Sequence, residues 1–181
     1  MTTQINEFIG QIIDEVRLSE FVISKGWDTN APFYFFGTPI EINKELSRFK
    51  KGSKKFPAIF LLEPFTVNEN DDMMLNVGAS PSINLYFMHN YATRLDWDTE
   101  EHYENIIKDM ESLKNEFIRN LKGNKFVLNI DSYDTVRHAN WGLFVNNKGN
   151  KEPVFDERLS GIELSIQFDI DKLIEGCNLF K

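Results

Sequence analysis

Five basic side chains cluster in the stretch RFKKGSKK, directly before an apolar run. They are Arg48, Lys50, Lys51, Lys54 and Lys55. Such a cluster has three interpretations: a contact with DNA phosphates, a contact with an acidic neighbouring subunit, or a solvated loop whose charges protect the following apolar strand from aggregation. The whole chain is acidic, with 28 Asp and Glu against 20 Lys and Arg. This balance argues against a general phosphate-binding surface, because nucleic-acid affinity depends mainly on Lys and Arg.

A second group of candidate residues lies in the polar stretch TVNENDDMMLNVGASPS, residues 66–82. Adjacent carboxylates such as Asp71 and Asp72 can bind Mg²⁺ or act as acid and base. On loops, however, such pairs usually form a solvated surface. We therefore predict no catalysis here. We interpret the stretch as a hairpin-like arm that contacts a subunit or another partner through Asp71, Asp72, Met73 and Met74.

The remaining reactive side chains lack the spacing that chemistry requires. His89, His102 and His138 form no metal-binding pair along the sequence, and Cys177 is the only cysteine. No Gly-rich phosphate loop and no nucleophile elbow is present. Trp141 is better interpreted as a core or interface anchor than as a ligand-stacking residue. The sequence therefore predicts a protein without enzymatic activity, metal or cofactor.

The elements that position these residues follow from hydrophobic periodicity. Apolar residues at helical spacing predict helices over 3–17 and 99–122, the second with Asp98 and Glu101 as a capping box. Apolar strands are predicted in FPAIFLLEP, INLYFMHNY and SGIELSIQFDI, and residues 43–55 are predicted as a polar loop with at most one helical turn. We therefore expect one α+β domain over residues 1–181, with a loose tail from residue 170. Its single mixed or antiparallel sheet carries the N-terminal helix and the long amphipathic helix on one face.

Targeting signals are lacking as well. The chain shows no basic start followed by an apolar segment and no apolar run of eighteen residues, so we expect neither secretion nor membrane insertion. A single cysteine excludes an internal disulfide and favours a reducing compartment.

The order of these elements resembles the tail-terminator proteins of long-tailed phages and the related tail-completion and neck proteins. The resemblance covers most of residues 3–170 and is one of pattern rather than of an invariant motif. It is carried in chain order by FYFFG, FPAIFLLEPF, INLYFMHNY, RLDWDTEEHYENIIKDMESLKNEF, NWGLFV and SGIELSIQFDI. The long 66–82 segment and the insertion NNKGNKEPVFDERL depart from compact members of the family.

The resemblance implies a virion protein assembled in the host cytoplasm, without catalytic residues. It would form a homomeric ring, typically a hexamer, at the head-proximal end of the tail. Its partners would be the tail tube protein and the neck or connector proteins, and DNA would pass through the lumen without specific binding. In such a ring the basic stretch is expected to contact a subunit or a neighbouring ring in preference to DNA.

Three alternatives remain open at the level of sequence. One is another head–tail connector or adaptor, which would form a twelve-fold ring. A second is a nucleic-acid-binding module that uses residues 48–55 with Phe49 and Phe56. A third is a hydrolase that uses Asp71 and Asp72.

Overall fold

The computed structural model describes residues 2–49, 55–69, 77–90, 103–145, 151–153, 155 and 158–171. Within them lie four α-helices: α1 (Thr2–Arg17), α2 (Glu20–Ser24), α3 (Pro39–Arg48) and α4 (Lys108–Gly123). A π-helical turn over Tyr103–Ile107 leads directly into α4. The strands are β1 (Phe33–Gly37), β2 (Ala58–Leu62), β3 (Thr66–Glu69), β4 (Val77–Asn90), β5 (Val127–Trp141), β6 (Leu143–Val145), β7 (Lys151–Pro153) and β8 (Leu159–Asp171).

Six of the strands form one mixed sheet. Its order is β1-β2-β4-β8-β5, and β3 pairs with the first part of β4. Only β1 and β2 are parallel, whereas the other neighbours in the sheet are antiparallel. Strands β6 and β7 pair separately. The fold is therefore α+β with a mixed sheet, as the sequence predicted.

The first face of the sheet carries the main core. Helices α1 and α4 cover it, as predicted, because their apolar stripes and the inward residues of the central strands bury each other. The final strand shows the cleanest pattern: its alternate residues are buried, and the intervening polar ones are half-buried. The buried alternate residues of β8 on this face are Ile162, Leu164, Ile166, Phe168 and Ile170.

The second face is partly covered by α3, where the sequence analysis placed a polar loop. That prediction was wrong for its first half. Thr38 caps the helix and forms a reciprocal capping box with Glu41, Pro39 occupies the first turn, and Ile42 and Leu46 are buried one turn apart. These start signals lie before the lysine-rich stretch. The loop was predicted from the polar and basic residues that follow them, which do not report the cap.

The described ends of the 66–82 segment form a hairpin-like extension of the sheet. Thr66 pairs opposite Ser82, and Glu69 pairs opposite Ala79. Strand β4 is consequently longer than predicted, since it begins at Val77 and not at Ile83. The capping residues Asp98 and Glu101 lie outside the described residues, and the predicted long helix is described from Tyr103 onward.

Candidate functional site

The second face of the sheet has two zones with different chemistry. The aromatic zone lies beneath α3, where Phe60 stacks on Phe155 at 6.1 Å between ring centroids. Trp141 lies 4.8 Å from Phe155 and 4.6 Å from Tyr86. Trp141 therefore acts as a packing anchor for this zone, in line with the interpretation from sequence.

A polar trio borders the aromatic zone. The Tyr86 hydroxyl donates a hydrogen bond to Glu163 Oε1 at 3.1 Å, and His138 Nε2 lies 2.6 Å from Glu163 Oε2. Only 19% of the Glu163 side chain and 27% of the His138 side chain are exposed. Burial, together with the nearby Glu163 carboxylate, raises the pKa of Tyr86 above its usual range, so this hydroxyl remains a donor at neutral pH.

This trio joins three neighbouring strands, β4, β8 and β5, across one face. Both oxygens of Glu163 are already engaged by side chains of that face, so we interpret the group as a structural clamp. Sequence reasoning missed it because Tyr86 and His138 lie 77 and 25 residues from Glu163 along the chain. The sequence feature that could have indicated the trio is Glu163 itself, a glutamate at a polar position of an alternating strand.

Beyond the trio, α3 no longer covers the second face, and the surface becomes an open zone. Its described side chains are mostly small and polar, and Asp134 and Asp169 are its carboxylates. Ser80 donates a hydrogen bond to Asp169, which fixes that carboxylate on the face. Among the described residues of this zone there is no lysine or arginine. Its members, identified from strand register, are Thr66, Asn68, Ser80, Ser82, Asn84, Asn129, Ser132, Asp134, Val136, Ser165, Gln167 and Asp169.

Strand β5 forms one edge of the sheet, and no described strand pairs with its outer side. Its side chains are largely exposed, among them Leu128 (43%), Tyr133 (45%) and Val136 (48%). By register Tyr133 lies on the first face, opposite Ile166, whereas Val136 lies on the second face, opposite Glu163. This edge thus exposes apolar surface on both faces of the sheet.

The predicted basic site is only partly described. Arg48 is the last residue of α3, is exposed, and forms an ion pair with Glu45 one turn earlier. Lys55 is half-buried, and its ammonium donates a hydrogen bond at 2.9 Å to the carbonyl oxygen of Leu46. Lys55 therefore satisfies a carbonyl group in the last turn of α3. Lys50, Lys51 and Lys54 lie outside the described residues.

The predicted contact residues of the arm, Asp71, Asp72, Met73 and Met74, also lie outside the described residues. The structure describes only the base of the arm. That base continues the sheet alongside β4 beyond the end of β2, on the side of β4 away from β8.

No metal site is formed by the described part of the chain, where no group of three His, Cys, Asp or Glu residues is arranged to hold an ion. His89 contacts the carbonyl oxygen of Asn90 through Nδ1 at 2.6 Å, and burial lowers the pKa of this imidazole. Within the described residues, no helix has the length and apolar character needed to cross a membrane.

Comparisons with protein-family models, with curated proteins and with solved structures each gave no match.

Proposed function

We propose that this protein is a structural virion protein that forms a closed ring at the head-proximal end of a phage tail and joins the tail tube to the neck. One observation carries the proposal. The sheet has an acidic zone on one face that no described helix or strand covers, and neither of its edge strands, β1 and β5, has a described strand partner on its outer side. A subunit with these features can repeat around a channel.

The two edges of the sheet differ in length, and contacts between two different surfaces can build a ring. Strand β5 has fifteen residues, whereas β1 at the opposite edge has five. Contacts between two different surfaces of identical subunits are heterologous, and they close into a ring when the rotation between neighbours divides a full turn. Open edges also need such cover, since unpaired strands otherwise promote uncontrolled association.

The open zone supports a role beside DNA. Asp134 and Asp169 place negative charge on a surface that has no described lysine or arginine. Phosphates are repelled from such a surface, and DNA finds no cationic partner on it. A channel lined by this zone would let DNA pass without retaining it.

The basic stretch fits the same assembly as a contact between proteins. Arg48 ends α3 at the β1 side of the sheet, and Lys44 is exposed one turn earlier on the same helix. Beside an acidic neighbour these cations would gain from complementary charge, which favours encounter and correct register. We therefore assign the stretch to a contact with the next subunit or the next ring.

The experiment that tests the proposal is native mass measurement over a concentration series, with negative-stain images of any large species. We expect a closed six-fold ring. A twelve-fold ring would favour a neck adaptor instead. A monomer at every concentration would contradict the proposal that the chain closes a ring on its own.

A further inference from the structure

The two edge strands, β1 and β5, lie at the same level along the strand direction. Following the register across the strands, Phe36 is aligned through β2, β4 and β8 with Thr135 of β5. In the same way Phe33 is aligned with His138. All of β1 therefore lies at the level of the second half of β5.

That half of β5 is also its most regular part. Register shifts occur before Ser132 and after His138, but the pairing with β8 is unbroken between these two residues. Regular pairing on the inner side leaves the backbone groups of the outer side evenly spaced, as a further strand requires. This regular stretch contains Tyr133 and Val136, whose exposed side chains lie on opposite faces.

Because Tyr133 and Val136 are exposed on opposite faces, their exposure indicates which kind of element can cover the edge. A helix packed on one face would cover Tyr133 or Val136 but not both. An additional strand brings side chains next to both residues and satisfies the outer N–H and C=O groups at the same time. The register shifts of β5 lie outside Ser132–His138, and this stretch has neither a bulge nor a proline, so a further strand can pair with it there.

From these observations we infer that the outer edge of β5, over Ser132–His138, pairs with β1 of a second copy of this chain. The inference rests on the proposed ring and names the surfaces that close it. Strand directions agree with this pairing. Strand β5 runs antiparallel to β8, which is antiparallel to β4, and β4 is antiparallel to β2 and hence to β1. β5 and β1 therefore run in opposite directions.

Because each neighbouring pair of strands is rotated by roughly 20–25°, the rotation between subunits must compensate the twist that accumulates from β1 to β5. The neighbour's β1 would then meet β5 antiparallel and at the same level, which allows a regular ladder. Charge on α3 is balanced, since this helix exposes Glu41 and Glu45 beside Lys44 and Arg48, and charge therefore bears only on the alternative pairing. Self-pairing of β5 centred on Asp134 would instead place two carboxylates opposite each other.

Cross-linking of single-cysteine variants tests the inference. Cys177→Ser provides the cysteine-free background. Ser132→Cys places a thiol on β5, and Ile40→Cys places one at an exposed position just after β1. Each variant is treated with a short bismaleimide at a concentration where the native protein is assembled, first alone and then as an equal mixture.

We expect covalent dimers from the mixture and at most about a tenth as many from either variant alone. Dimers from Ser132→Cys alone would overturn the inference in favour of β5 pairing with itself. An assembled ring that yields no dimers from the mixture would overturn the inference and leave the proposed function standing. Absence of any assembly would contradict both.

A second variant avoids cysteine. Val136→Lys places a cation on the edge, a device that blocks strand addition, and is expected to weaken association about tenfold or more. Leu18→Lys, at a position 78% exposed after α1, is the matched control and should assemble like the native protein. Equal assembly of the two variants would overturn the inference.

Discussion

At the scale of single residues, Gly161 marks the tightest approach in the sheet. It lies in β8 between Met88 of β4 and His138 of β5. A Cβ atom built there would overlap the backbone carbonyl of Phe87 and lie 2.9 Å from Met88 Sδ. The methionine side chain can move, but the carbonyl belongs to a paired central strand. Only glycine fits this position without displacing the backbone.

We therefore expect Gly161→Ala to lower the free energy of unfolding by about 2 kcal/mol or more, as for other overpacked core positions. Gly123→Ala is the matched control, because a Cβ atom there has no neighbour within 4 Å. The control should be neutral or slightly stabilising, since alanine favours the helix. Chemical denaturation of both variants measures the difference. Equal stability would show that the strands can separate locally at no cost.

The polar trio shows the same dependence on three-dimensional proximity. Tyr86, His138 and Glu163 belong to three different strands. Their side chains meet on the second face of the sheet, between the aromatic zone and the open zone. Nothing in their sequence spacing relates them. Their partnership depends on the order β4-β8-β5, which the sequence analysis did not derive.

At the scale of elements, α3 shows how local start signals outweigh overall polarity. The Thr38 Oγ1 atom accepts from the Glu41 backbone N–H, and the Glu41 carboxylate accepts from the Thr38 N–H at 2.9 Å. Hydrogen bonds from Thr38 lower the pKa of Glu41, so this carboxylate is ionised at neutral pH. At the other end of the helix, the Lys55 ammonium contacts the Leu46 carbonyl group. Each end of α3 thus has a side chain that bonds a terminal backbone group.

Thr38→Ala removes the N-terminal cap and should cost about 1 kcal/mol of folding stability, the usual effect of losing such a cap. Thr29→Ala is the control, since Thr29 is an exposed turn residue. Thermal or denaturant unfolding at neutral pH compares the two variants. An equal effect of both substitutions would mean that α3 does not depend on its cap.

At the scale of the whole molecule, the distribution of charge matters more than the net value of −8. The open zone combines small polar side chains with Asp134 and Asp169 on one side of the sheet. Helix α3, toward the β1 edge, exposes cations and carboxylates in equal number, namely Lys44 and Arg48 with Glu41 and Glu45. A ring built on this pattern would separate a DNA-repelling channel from a protein-binding edge.

This separation predicts a gain of function. The native protein should show no appreciable DNA binding, whereas the double variant Ser82→Lys, Asn84→Lys, at exposed positions of β4 in the open zone, should bind DNA. The logarithm of its affinity should fall with the logarithm of salt concentration with a slope of roughly −2 per subunit, as two phosphate contacts imply. Fluorescence anisotropy with labelled DNA measures this slope.

The matched control adds the same charge elsewhere. The double variant Thr29→Lys, Asn115→Lys modifies exposed positions in a turn and on α4, away from the open zone. It should bind DNA far more weakly than the first variant. Equal binding by both would show that net charge alone governs contact with DNA. Strong, salt-dependent binding by the native protein would instead favour the nucleic-acid-binding alternative.

The sequence by itself determined the elements whose signals are local. Alternation in SGIELSIQFDI specified both the strand and its buried face, and the helical spacing of Ile5, Phe8, Ile9 and Ile12 specified α1. These patterns are readable because one buried face imposes a fixed period on the residues of a strand or a helix. The α+β class followed from their order.

Only the tertiary structure decided which strands are neighbours. Strand order placed β5 at an edge, left an acidic zone uncovered and brought Glu163 to Tyr86 and His138. Periodicity along a chain reports which side of an element is buried, but it carries no information about the element that covers it. Edges and faces, on which the proposed assembly depends, arise from pairings between residues far apart in sequence, and such pairings leave no local period.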